Sequence, residues 1–181
     1  TTADLAALQA KTTGEVTVSA SSAMSGTYAA LSQTLGTTDS GATVTGINNF
    51  ANVNVSITDS VTVAEVNDIL EVVTAGTVTA TITEQDATTL LTGDGGGGIS
   101  RAGAYTITVA RTSEESAAGA GDSDENVTAA NLISVNALTT EVLTVTSADM
   151  TGNFADTQTV LLANTPADSA TAATISGVTG I

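Results

Sequence analysis

Residues 62–82 read TVAEVNDILEVVTAGTVTATI, a threonine, a run of apolar residues at helical spacing, a glycine-containing turn and an alternation of Thr with Val, Ala and Ile. Thr62 followed three residues later by Glu65 is a capping-box pattern, and Val66, Ile69, Leu70 and Val73 form an i, i+3, i+4, i+7 stripe, so a capped amphipathic helix is expected. After Gly76, Thr77, Thr79 and Thr81 fall on one face of an extended segment and Val78, Ala80 and Ile82 on the other, which predicts a half-buried strand.

The same order recurs on both sides. Thr1-Thr2-Ala3-Asp4-Leu5 leads through Leu8 and Gly14 to Glu15-Val16-Thr17-Val18-Ser19, and Thr128-Ala129-Ala130-Asn131-Leu132 leads through Val135 and Leu138 to Glu141-Val142-Leu143-Thr144-Val145-Thr146. The anchors Leu5, Val66 and Leu132 are spaced by 61 and 66 residues, the mark of a repeat architecture. The fold expected is α/β: a solenoid-like array of short strands and short amphipathic helices in three copies of a unit of about sixty residues. The copies are 1–61, 62–127 with an acidic insertion at 112–126, and 128–181, the last incomplete.

Within that frame the spacing predicts a helix over 1–14 and a strand over 15–20. A second helix is expected over 26–35, where Tyr28, Leu31 and Leu35 recur at three and four, followed by a loop at 37–41. Strands are expected at 42–47 and 52–58, with Thr58-Asp59-Ser60 turning into the middle copy. Further along, 85–91 reads as a helix, 94–98 as a glycine loop and 105–109 as a strand; the third copy then carries a segment at 154–162 and a loop around Pro166. Val178-Thr179-Gly180-Ile181 repeats Val44-Thr45-Gly46-Ile47, which places the end of the chain just before the strand that would come next. Both ends of the array therefore read as open faces, with Thr1 and Leu5 at one and Val178 and Ile181 at the other.

Composition narrows the function. Nineteen acids face three basic residues, Lys11, Arg101 and Arg111, for a net charge of −16, so neither nucleic acid nor an anionic membrane is an expected partner. No apolar run is long enough to insert into a membrane. Two Phe, two Tyr and no Trp leave the interior to Val, Leu, Ile and Ala. Without His or Cys, the common nucleophile–base pairs and thiolate metal sites are missing, and no acid–base carboxylate pair stands out, so an enzyme is not expected.

Asp122-Ser123-Asp124-Glu125-Asn126 is the densest oxygen cluster; if a cation is bound, Asp122, Asp124 and Glu125 are its expected ligands and Ca²⁺ the expected ion. A solvated acidic loop is the other reading of the same residues, since the glycine and distal glutamate of an EF-hand are missing. The threonine rows could order water, although Thr also suits any solvent-facing strand position. The sequons at Asn54 and Asn126 are expected by chance in so Thr-rich a chain.

The segment VSITDSVTVAEVNDILEVVTAGTVTATITEQDATTLL resembles the repeats of very large secreted surface proteins of cyanobacteria and marine bacteria. Their pattern of a strand ending in T-D-T, then T-x-A-E-L-N-x-L-D, then T-T-G-T-V-x-A is matched here by Ile57, Thr58 and Asp59. It continues at Thr62, Ala64, Glu65, Val66 and Asn67, and at Thr74, Gly76, Thr77, Val78 and Ala80. Thr140 stands where the turn glycine would be in the third copy. The resemblance implies an extracellular, repetitive, structural or adhesive protein and carries over no catalytic residue. The expected function is a structural subunit of an extracellular layer, sheath or filament, a homo-oligomer or polymer joined head to tail. The alternative is a spacer or cation-dependent binding module of a large secreted adhesin.

Overall fold

The computed structural model describes residues 2–19, 22–37, 47–93, 97–110, 127–146, 150–163 and 175–176. It is a mixed α/β structure, with six helices and several short parallel strands among the described residues. The chain forms two compact units, Thr1–Thr81 and Ile82–Ile181.

In the first unit α1 (Thr2–Gln9) is followed by β1 (Val16–Thr17), β2 (Ala23–Gly26) and α2 (Tyr28–Leu35). Then come β3 (Ile47–Asn48), β4 (Asn54–Val61), α3 (Val63–Val72) and β5 (Val78–Ile82), whose last residue opens the second unit. β2 runs parallel to β4, with Ala23 opposite Asn54 and Gly26 opposite Ile57, and β5 lies on the other side of β4. β1 and β3 form a separate parallel pair. The buried side chains come from alternate strand positions, Val53, Val55, Ile57, Val78, Ala80 and Ile82, and from the helix stripes Leu31, Leu35, Val66, Ile69, Leu70 and Val73. The alternation and the 3.6-residue stripe read from the sequence thus mark the inward faces.

The junction from strand to helix is the recurring local device. Thr62 keeps an extended backbone, φ −79° and ψ 164°, so it closes the β4 run while its hydroxyl accepts from the Glu65 N–H at 3.2 Å. Glu65 returns the bond, its Oε2 accepting from the Thr62 N–H at 2.8 Å, which completes the capping box. Thr27 starts α2 in the same way, accepting from the Ala30 N–H, and Gly36 closes that helix with φ 73°, a conformation that favours glycine.

Two expectations are corrected here, and one strand is new. The helix over 1–14 ends at Gln9, well before Gly14. Ala23–Gly26, unassigned in the sequence reading apart from Gly26 at the helix start, is a strand. Thr58-Asp59-Ser60 does not turn: β4 continues through it to Val61, and the Asp59 side chain accepts from the Tyr28 N–H at 2.8 Å.

The second unit contains α4 (Ala87–Thr92), β6 (Ala104–Thr106), β7 (Thr108–Val109) and β8 (Val127–Thr128). These are followed by α5 (Ala129–Asn136), β9 (Leu143–Val145), β10 (Met150–Thr151), α6 (Phe154–Ala163) and β11 (Ile175–Ser176). β7 and β11 flank β9, both parallel to it, and β8 pairs in parallel with β10. α5 packs against both α4 and α6. Caps recur at Asp86, Thr128 and Asn153, whose side-chain oxygens accept from the Thr89, Asn131 and Asp156 N–H groups.

The single strand expected over 105–109 is two strands. Its burial does alternate, Tyr105, Ile107 and Val109 being fully buried. The two strands belong to different sheets, and at the first of them Thr139 Oγ1 accepts from the Tyr105 N–H at 3.2 Å and donates to the Tyr105 carbonyl at 2.6 Å. Backbone bonds to β9 begin two residues later, from Thr144 N–H to the Ile107 carbonyl. Thr140, in the place of a turn glycine, is accommodated with its N–H bonded to the Gly103 carbonyl at 3.0 Å, as the Gly76 N–H bonds to the Ala51 carbonyl at 3.0 Å.

Candidate functional site

Asp122, Asp124 and Glu125, the expected cation ligands, lie outside the described residues, as do the insertion 112–126 and the assembly-end residues Thr1, Val178 and Ile181. Leu5 is described: it sits in α1, half-buried.

Four of the described acids have local work at helix starts. Asp59 caps the backbone of Tyr28, Glu65 closes the α3 capping box, Asp86 caps α4, and Asp156 accepts from the Asn153 side-chain amide at 2.6 Å. Each carboxylate stands at a helix start, where the unpaired N–H groups and the helix dipole favour negative charge. Among the described residues no group of three or more acids could hold a metal ion.

Two surface features remain. The first is an open trough of about 420 Å³ on the solvent side of β2, β4 and β5. It is lined by Ala23, Met24, Ser25, Asn54, Val55, Ser56, Thr77 and Thr79, and it contains no ionisable side chain in a chain of net charge −16. Asn54 Oδ1 already accepts from the Thr77 N–H at 2.9 Å, so the amide nitrogen and the hydroxyls are what the trough offers. Such a lining can hydrogen-bond neutral polar groups and has no acid, base or anion-neutralising group. The threonine row expected at Thr77, Thr79 and Thr81 is exposed on this side.

The second feature is apolar. The large exposed hydrophobic side chains among the described residues are Leu8, Val142, Phe154 and Leu162, at 52%, 48%, 82% and 63% exposure. Three of the four lie on α1 and α6. Phe154 is the first residue of α6, directly after the Asn153 cap, as Tyr28 is the first residue of α2 after Thr27. Tyr28 is engaged: α2 packs on α3, and the Tyr28 hydroxyl donates to Asp68 Oδ2 at 2.6 Å. The sequence reading missed this relationship, yet a signal was present. Thr27-Tyr28-Ala29 and Asn153-Phe154-Ala155 carry the cap-x-Ala pattern that Thr62-Val63-Ala64 shows in the quoted segment.

Comparison with protein-family models, with curated proteins and with solved structures finds no match to this chain.

Proposed function

We propose that the chain is a non-catalytic structural subunit of an extracellular layer, sheath or filament, built as three copies of a unit of about sixty residues and assembling head to tail. The observation that carries the reading is the recurring strand-to-helix junction. One device, a Thr, Asp or Asn cap directly before the helix, recurs at the helices beginning at Tyr28, Val63, Ala87, Ala129 and Phe154. A fold made by repeating one junction offers like surfaces at successive positions, and like surfaces are what a growing assembly needs. The strongly acidic composition suits a saline or calcium-rich exterior, where counterions screen self-repulsion.

The second reading is a spacer or cation-dependent binding module of a secreted adhesin; the neutral hydroxyl-lined trough on the first unit favours its binding role and supplies no cation ligand set. Analytical ultracentrifugation across a wide concentration range, with and without Ca²⁺, followed by electron microscopy of the heavy fraction, separates the two. The subunit reading expects concentration-dependent, elongated assemblies. A chain that stays monomeric at the highest concentration with Ca²⁺ present rules it out.

A further inference from the structure

We draw no further inference here: the strongest candidate, the open trough over β2, β4 and β5 lined by Asn54, Ser56, Thr77 and Thr79, carries nothing, because its small uncharged side chains suit any solvent-facing strand and nothing among the described residues shows what covers it.

Discussion

The Tyr28 hydroxyl donates a 2.6 Å hydrogen bond to Asp68 Oδ2, joining the first residue of α2 to the middle of α3 across 40 positions of sequence. The backbone N–H of the same Tyr28 donates to Asp59 at the end of β4, so one residue ties a strand and two helices together. Tyr28→Phe keeps the ring and the backbone bond and removes only the hydroxyl. Because the pair is half-exposed, the expected loss is about 1 kcal/mol, below the range for a fully buried bond to a charged group. A urea midpoint unchanged from wild type shows that the bond contributes nothing.

Thr139 is the more expensive side chain to alter. Its hydroxyl serves three backbone groups, accepting from the Tyr105 and Glu141 N–H groups and donating to the Tyr105 carbonyl. Thr139→Val preserves shape and strands all three, so a loss of about 2–3 kcal/mol is expected, whereas Thr139→Ser keeps most of the stability. Equal unfolding midpoints for the Val and Ser variants contradict this account.

Burial raises the Tyr105 phenol from 10.0 to about 12, with the Arg101 guanidinium pulling in the opposite direction. A group that ionises later in the folded chain than in the unfolded one contributes stability that is complete below pH 10 and lost as pH rises towards 12. Wild type is therefore expected to lose stability across this window more steeply than Tyr105→Phe. Urea midpoints taken at intervals from pH 8 to pH 11 check it, and parallel slopes for the two proteins defeat it.

Gly76 is held against the backbone of Val53, and a Cβ added there collides with the Val53 carbonyl. Gly14, by contrast, has only an ordinary contact with Thr12 Oγ1 at 3.4 Å. Gly76→Ala is expected to destabilise by about 3 kcal/mol and Gly14→Ala by about 0.5 kcal/mol or less, measured by thermal or urea unfolding. A tolerated Gly76→Ala would mean that the turn and β4 can separate without cost.

Local patterns along the chain were enough to place the helix at Val63–Val72 with its cap, the alternation of Val78–Ile82 and the helices near Tyr28 and Ala87. These follow from cap chemistry and from the 3.6- and 2-residue periods, both of which act over a few neighbours. The short strand Ala23–Gly26 was not legible. It has no alternation strong enough to announce itself, and it is a strand because Asn54–Ile57, thirty-one positions on, lies beside it. The expected cation ligands Asp122, Asp124 and Glu125 fall outside the described residues and stay an expectation from the sequence.

What the sequence determined by itself is the capped start at Thr62 and the inward faces of Val63–Val72 and Val78–Ile82, since a cap needs only the three residues after it. What only the tertiary structure decided is which elements become neighbours. Thr139 bonds both backbone groups of Tyr105, Asp59 accepts from the Tyr28 N–H, and Tyr28 finds Asp68 while Phe154 is exposed. Each depends on groups separated by 31 to 40 positions, and hydrogen bonds of that reach leave no local pattern. The quoted segment 62–82 thus supplies the device, and the contacts around it decide where the device is covered and where it is left open.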